Sequence, residues 1–204
     1  MKIERIETGS CYTDTYFIVE GNEAIVIDPD GDCGLINLRL SKLDATAKFV
    51  LITHGHFDHI GAVAKLAECG AKVYISEIDY DVFVKPDDNV NNEFFGKRVD
   101  PFVADVLVGD GDKLRLCNHD FTVIATPGHT PGGVCYVMDD RCIFSGDTLF
   151  RLSVGRTDFP FCSHSDLINS IKRLFALNGD YTVYPGHGPS TTLEFERKNN
   201  PYVC

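Results

Sequence analysis

The sequence predicts one mixed α/β domain, and three observations indicate it. The chain has 204 residues, about the size of one large domain built around a single core. Hydrophobic residues make up 44% and charged residues 24%, an ordinary globular composition that argues against a disordered chain, a collagen-like repeat or a coiled coil. Strand and helix patterns alternate in both halves, so we expect one domain that covers residues 1–204.

Short runs of β-branched and aromatic residues, separated by Gly, Asn and Asp, predict the strands. These runs lie at residues 16–20, 24–28, 49–53, 72–76, 113–117, 121–126, 134–138, 142–145 and 181–184. Apolar residues at helical spacing predict a helix over 60–67 ended by Gly70, a helix over 167–175 ended near Gly179, and a less regular helix over 35–43. A capping signal that begins at Ser163 precedes the second of these helices.

The pattern breaks up over residues 77–112, which include Asp87-Asp88-Asn89 and Asn91-Asn92. We expect an irregular excursion with a short helix here. Such a segment is either a lid over a substrate or a structural connector between the two halves of the domain, and the sequence leaves both interpretations open.

The net charge argues against some classes of binding partner. Nineteen Lys and Arg against 30 Asp and Glu give a net charge of −11, so a nucleic acid or an anionic membrane would be repelled over most of the surface. No run of about 18 apolar residues occurs, and the start, MKIERIETGS, lacks the apolar segment of a signal peptide. Eight cysteines without a C-x-x-C pair are expected to be buried free thiols. We therefore expect a soluble cytoplasmic protein that acts on a small molecule.

Five of the seven histidines lie in short segments rich in Gly, Asp, Thr and Pro, and the first segment is T-H-G-H-F-D-H-I-G. It follows the apolar run at 49–52 and precedes a predicted helix, so several side chains share one tight turn. His54 and His56 are two residues apart, while Asp58 and His59 are offset and can point toward a second centre. Imidazole suits Zn and Fe, and a carboxylate can also be a ligand. The segment therefore predicts a metal site.

Three further polar residues each follow the end of a predicted strand. His129 lies in T-P-G-H-T, Asp147 in S-G-D-T, and His187 in Y-P-G-H-G. Strand ends of one sheet converge on one rim, where α/β folds keep their sites. Two metal ions that share one carboxylate need about three further ligands each, and the seven candidates match that number.

At these residues the sequence resembles the metallo-β-lactamase superfamily, and more closely its glyoxalase II-like branch. The resemblance runs from Asp28-Pro29 through T-H-G-H-F-D-H-I-G, T-P-G-H-T-P-G-G, F-S-G-D-T-L-F and G-R-T-D-F to P-G-H-G-P-S-T-T. It implies a four-layer αβ/βα sandwich with two mixed β-sheets inside and helices outside. It also implies that metal 1 binds His54, His56 and His129, that metal 2 binds Asp58, His59 and His187, and that Asp147 bridges them.

Other residues near this pattern have two interpretations each. Asp28 is either a turn former or a partner that hydrogen-bonds a metal-binding histidine. In glyoxalase II relatives a basic residue at the Arg156 position contacts the glutathione part of the substrate, which implies a substrate contact here. The alternative is an ion pair between Arg156 and Asp158 that shapes the loop. Cys162 is expected to be a buried packing thiol.

The function that the resemblance implies is hydrolysis of a thioester such as S-lactoylglutathione by a hydroxide that bridges two metal ions, most simply Zn, with Fe or Mn as alternatives. Asp58 would orient this nucleophile as well as bind metal 2. Only 17 residues follow His187, so the helical domain by which glyoxalase II binds glutathione is not expected, and another thioester, a lactone or an ester stays open as substrate. The competing class is a persulfide dioxygenase, which holds one Fe(II) through His54, His129 and Asp147.

Overall fold

The computed structural model describes residues 1–85 and 90–203, so the predicted Asp87-Asp88-Asn89 stretch lies outside the described residues. The strands in the described part are β1 (Lys2–Thr8), β2 (Thr13–Glu20), β3 (Glu23–Ile27), β4 (Thr46–Leu51), β5 (Lys72–Ser76), β6 (Val106–Val108), β7 (Lys113–Leu116), β8 (His119–Ala125), β9 (Val134–Met138), β10 (Cys142–Gly146), β11 (Leu149–Phe150), β12 (Ser153–Val154), β13 (Thr182–Pro185) and β14 (Thr191–Thr192). The helices are α1 (Cys33–Lys42), α2 (Phe57–Ile60), α3 (Val63–Glu68), α4 (Glu77–Asp79), α5 (Val90–Glu93), α6 (His164–Phe175) and α7 (Leu193–Asn199), and a π-helical turn, Tyr80–Val84, follows α4.

Two mixed six-stranded sheets form the centre of the molecule. The first sheet has the order β1-β2-β3-β4-β5-β6, in which β1 to β3 are antiparallel and β3 to β6 are parallel. The second has the order β14-β13-β10-β9-β8-β7, in which only the β10–β13 pair is parallel. Strands β11 and β12 form a separate hairpin beside the second sheet. Both sheets therefore mix strand directions, as the sequence predicts.

Side chains on opposite faces of the central strands pack into three separate apolar clusters. In β2, Tyr16 and Ile18 pack between the two sheets, whereas Phe17 and Val19 pack toward α1 and α3. Helices α6 and α7 cover the outer face of the second sheet through a further apolar cluster that includes Leu167. Since successive side chains of a strand point to opposite faces, each sheet buries both of its faces. The arrangement is helix, sheet, sheet, helix, and it confirms the predicted four-layer αβ/βα sandwich.

The local predictions succeed where the apolar pattern is strong. All nine predicted strands are present, and α6 begins at its predicted cap, where Ser163 Oγ accepts a hydrogen bond from Asp166 N. The helix predicted over 60–67 is wrong in its extent, because it is divided into α2 and α3 at Gly61-Ala62. Asp30 packs so closely against Gly61 that a side chain there would collide with it, and Ala62 N donates to Pro29 O at 3.0 Å instead of to a helical carbonyl. Within 77–112, the short helices agree with the predicted excursion, but β6 was not predicted.

The prediction of buried cysteines is wrong in part. Seven cysteines lie in the described residues and all are free, while Cys204 lies outside them. Cys135 and Cys142 are buried as expected, but Cys11 and Cys69 are exposed. Across residues 1–85 and 90–203, no helix has the length and apolar character needed to cross a membrane.

Candidate metal centre

The fold brings all seven candidate ligands to one rim of the sandwich. Each group of candidates follows the C-terminal end of a strand, because the chain leaves β4, β8, β10 and β13 at the same side. The first sheet contributes His54 and His56 from the loop after β4, with Asp58 and His59 from α2; the second contributes His129, Asp147 and His187 from three loops. Backbone contacts join the two sheets here, including Val134 N to Thr53 O at 2.8 Å.

Three histidines form the first group of donors. His54, His56 and His129 are all buried, and one ring nitrogen of each lies within 4.8 Å of the others. His129 Nε2 is 3.0 Å from His56 Nδ1. Burial lowers the pKa of both His54 and His56 well below its ordinary value, and the neighbouring histidines lower it further. The neutral imidazole, which is the form that binds metal, is therefore the stable one at this position.

The second group contains one carboxylate and two histidines. Ligand atoms of Asp58, His59 and His187 also lie within 4.8 Å of one another, and His187 Nε2 is 3.5 Å from Asp58 Oδ2. Burial acts to raise the pKa of Asp58, but the nearby charge of His59 and a hydrogen bond from His187 outweigh it and lower that pKa. Asp58 is accordingly an ionised carboxylate at neutral pH.

Asp147 lies between the two groups. Its Oδ1 is 3.5 Å from His59 Nε2, and its Oδ2 is 3.5 Å from His129 Nε2 and 3.6 Å from His187 Nε2. One carboxylate therefore faces histidines of both groups at once. The same side chain forms a third possible ligand set with His54 and His59.

Several buried ligand atoms have no hydrogen-bond partner among the described residues, and this allows a test of whether metal ions fit the site. His54 Nε2, His59 Nε2 and Asp147 Oδ1 are buried without a hydrogen bond. Leaving such groups unpaired costs about 1–3 kcal/mol each. A Cβ on Gly186 would lie 2.2 Å from Asp147 Oδ1, so glycine keeps this space open. The donor set and the open space both fit bound metal ions, which would satisfy these atoms.

Three carboxylates lie around His59 and give this part of the cluster a negative charge. Burial alone would lower the pKa of His59, but Asp147, Asp28 and Asp58 together raise it to about 10. Such an excess of carboxylate charge around one imidazole stabilises a positive charge at this position. A divalent cation supplies that charge when it binds.

The outer nitrogens of two candidate ligands, His59 and His129, are held by the protein. His59 Nδ1 donates to Asp28 Oδ2 at 3.0 Å, and Thr53 N and Oγ1 fix the same carboxylate at 2.8 and 2.6 Å. His129 Nδ1 donates to the backbone oxygen of Arg156 at 2.8 Å. These bonds leave the opposite nitrogen free to bind a metal and fix the ring orientation. They support the second interpretation of Asp28, while its φ of 49° also gives it a turn conformation.

Asp79 is part of the site architecture although the sequence did not single it out. Its buried carboxylate accepts hydrogen bonds from Gly55 N at 2.9 Å, Thr130 Oγ1 at 2.7 Å and Gly132 N at 2.7 Å. Burial raises its pKa to about 6, while these hydrogen bonds act to lower it. Asp79 thus ties the loop of His54 and His56 to the loop of His129. The available signal was its position just after β5, a strand that ends near the same rim.

An open cavity of about 450 Å³ leads to the cluster. Five candidate metal ligands line it, and four of the other eight described lining residues are phenylalanines. The described residues around it are Cys11, His56, Phe57, Asp58, Phe95, His129, Asp147, Phe150, Ser153, Val154, Arg156, Phe159 and His187. Phe95 belongs to the predicted excursion, so that segment contributes to the wall of the site, and its action as a lid stays a prediction.

Arg156 lines the cavity, and its guanidinium is paired with Asp158. Nε and one terminal nitrogen bind the two carboxylate oxygens of Asp158 at 2.7 Å each, and the guanidinium carbon lies 3.8 Å from the centre of the Phe159 ring. This geometry favours the ion-pair interpretation over substrate contact. Cys162 is half-buried rather than buried, and its thiol donates to His129 O.

The fold and the donor cluster define a metallo-hydrolase. The family model for the metallo-beta-lactamase superfamily matches residues 8–187, and the chain belongs to this superfamily. A relative from Haemophilus influenzae, named hydroxyacylglutathione hydrolase GloC, is 35% identical in an alignment that covers 88% of this chain and 87% of the relative.

Solved structures support the same assignment. The crystal structure of the BLEG-1 B3 metallo-beta-lactamase superimposes with a TM-score of 0.91 and 33% identity, covering 99% of both chains. The crystal structure of TTHA1623 in a di-iron-bound form gives a TM-score of 0.86 and 33% identity, covering 98% of this chain and all of that one (100%). The family and fold predicted from the histidine segments are therefore confirmed.

Proposed function

We propose that the protein hydrolyses small acyl thioesters, of which S-lactoylglutathione is the first to test, with two divalent metal ions in its site. The observation that carries the proposal is the presence of two three-residue donor groups that both face Asp147. The similarity to a hydroxyacylglutathione hydrolase supports the reaction class. Zn is the metal we propose, and iron is the main alternative because a similar protein has been solved in a di-iron form.

The protein residues in this proposal hold the ions, orient a water molecule and shape the cavity. His54, His56 and His129 form one set of ligands, Asp58, His59 and His187 form the other, and Asp147 joins them. When bound there, two divalent ions would supply Lewis acidity, which would polarise a carbonyl oxygen and lower the pKa of a water molecule toward about 7.

Asp58 has a second role, because its carboxylate can accept a hydrogen bond from the attacking water. Thr13 Oγ1 donates to Asp58 Oδ2 at 3.4 Å and restricts how the carboxylate can turn. Asp58 and Asp147 both line the cavity, where a substrate would have to enter. The ionised state of Asp58 at neutral pH suits this acceptor role.

Water is a better nucleophile here than a side chain of the enzyme. Cys11 is the thiol among the described residues that line the cavity. Partial burial and the charge of Asp58 raise its pKa, so the thiolate is disfavoured at neutral pH. This supports direct hydrolysis without a covalent enzyme intermediate.

The test combines metal content with oxygen-independent activity. Protein loaded with Zn, and separately with Fe, is assayed under nitrogen for release of glutathione from S-lactoylglutathione, while bound metal is counted by mass spectrometry of the metals. We expect two ions per chain and turnover without oxygen. One iron per chain, with oxygen uptake on glutathione persulfide and no thioester cleavage, would instead support the persulfide dioxygenase.

A further inference from the structure

Four half-buried phenylalanines line the active-site cavity, and we call them the aromatic wall: Phe57, Phe95, Phe150 and Phe159. The rings of Phe95 and Phe159 meet edge to face, with centres 4.9 Å apart, and Phe57 lies 5.5 Å from Phe95. Because these rings remain partly exposed in the cavity, they offer apolar surface that a substrate can cover.

The aromatic wall touches the candidate metal ligands directly. The ring centre of His56 lies 5.4 Å from that of Phe95 and 6.0 Å from that of Phe159. Phe150 lies 6.3 Å from His187 on the side of the other donor group. If the carbonyl carbon of a thioester lies at the cluster, its acyl group is therefore close enough to contact the aromatic wall.

Positive charge is scarce around the same cavity. Among the described residues that line it, apart from the candidate metal-binding histidines, Arg156 alone is basic, and Asp158 holds its guanidinium through two hydrogen bonds. Lys97 lies nearby, with Nζ 5.7 Å from the centre of the Phe57 ring, but it does not line the cavity. In the described lining, apart from the metal site itself, the two carboxylates of a glutathione group therefore meet one side-chain cation, Arg156, for which they would compete with Asp158.

We propose that this site selects acyl thioesters whose acyl group is uncharged and aromatic or branched-alkyl, and that it does not select for glutathione as the thiol. The inference rests on the proposed thioester hydrolysis and names its substrate class. Covering the exposed faces of the aromatic wall removes apolar surface from water, which favours an apolar acyl group. A cavity of about 450 Å³ is large enough for an aryl acyl group.

The first arm of the experiment compares substrates on the metal-loaded wild-type protein. The probes are the phenylacetyl and lactoyl thioesters of N-acetylcysteamine, an uncharged thiol, together with S-lactoylglutathione. We expect kcat/KM for the phenylacetyl thioester to exceed that for the lactoyl thioester of the same thiol by about tenfold. The two lactoyl thioesters should differ by less than about threefold, because the carboxylates of glutathione would compete with Asp158 for Arg156.

The second arm tests the aromatic wall itself. Phe95→Ala and Phe159→Ala should each lower kcat/KM for the phenylacetyl thioester by about tenfold, mainly through KM, with little effect on the lactoyl thioester. Phe95→Leu should recover much of this loss because it restores apolar surface. The matched control is Phe161→Ala, since Phe161 is 64% exposed and does not line the cavity. Metal content is measured for every variant.

The outcomes separate this inference from the proposed function. A preference for S-lactoylglutathione over both other thioesters, or equal losses on phenylacetyl and lactoyl substrates in Phe95→Ala, would overturn the inference and leave thioester hydrolysis standing. If protein with two bound ions cleaves none of the three thioesters, the proposed function is overturned and the inference falls with it.

Discussion

The two sheets contribute to the candidate metal centre in different ways. The first sheet supplies four candidate ligands, His54, His56, Asp58 and His59, from one continuous turn and the helix that follows it. The second sheet supplies three, each from a separate loop after a different strand. The first set is therefore fixed largely by local geometry, whereas the second depends on how β8, β10 and β13 lie beside one another.

This difference explains why carboxylates connect the two sides. Asp147 comes from the second sheet and faces His59 of the first sheet at 3.5 Å. Asp79 follows the first sheet and holds Thr130 and Gly132 of the second. Loops that are distant in sequence keep ligand geometry only when such contacts restrain them. Two substitutions test these connections, and a third tests a contact within the first sheet's side.

The largest effect is expected for Asp147→Ala, which removes the carboxylate between the two donor groups. Both ions should be lost or bound weakly, and thioester hydrolysis should fall by about a thousandfold. Metal content and activity, measured on the same samples, check this. Asp81→Ala is the control, because Asp81 is an exposed partner of Lys85. Retention of two tightly bound ions in Asp147→Ala would refute the bridging role.

Asp79 should make folding stability depend on pH. Its pKa is raised from 3.8 to about 6 in the folded state. At a pH between these two values, the folded protein therefore binds a proton on Asp79 that the unfolded chain does not bind. The free energy of unfolding of the wild type, relative to Asp79→Asn, should therefore fall by about 3 kcal/mol as the pH rises through this window. Urea unfolding of both proteins, from about pH 4 to about pH 7, measures the difference. A difference that does not change with pH would show that Asp79 has an ordinary pKa.

A smaller effect is expected for Asp28→Asn on the side of the first sheet. The variant weakens the acceptor for His59 Nδ1, and loss of such a partner typically lowers metal affinity by about tenfold or more. Competition with a chelator measures this affinity. Asp139→Asn is the matched control, because Asp139 binds His119 Nδ1 at 2.6 Å in a similar pair outside the cluster. Equal affinities in the wild type and Asp28→Asn would contradict the orienting role.

The sequence predicted the parts of the molecule that short motifs encode. The seven candidate ligands could be named because each lies in a short glycine-containing segment just after an apolar strand pattern. Edge strand β1 was missed because its side chains are largely polar and partly exposed, with an alternation too weak to stand out. Asp79 and Phe95 were not singled out because their roles depend on contacts distant in sequence, and the position of Asp79 just after β5 was too weak a signal by itself. For Arg156 the sequence left two roles open, and only the structure shows Asp158 holding it.

Counting the metal ions that bind to the wild-type chain tests the central claim most directly. Metal-stripped protein is titrated with Zn²⁺ in a calorimeter, and bound Zn is then counted on the saturated protein after gel filtration. The two donor groups predict two ions per chain, with both required for thioester hydrolysis. Saturation at one ion per chain with full hydrolytic activity would contradict a shared two-metal centre.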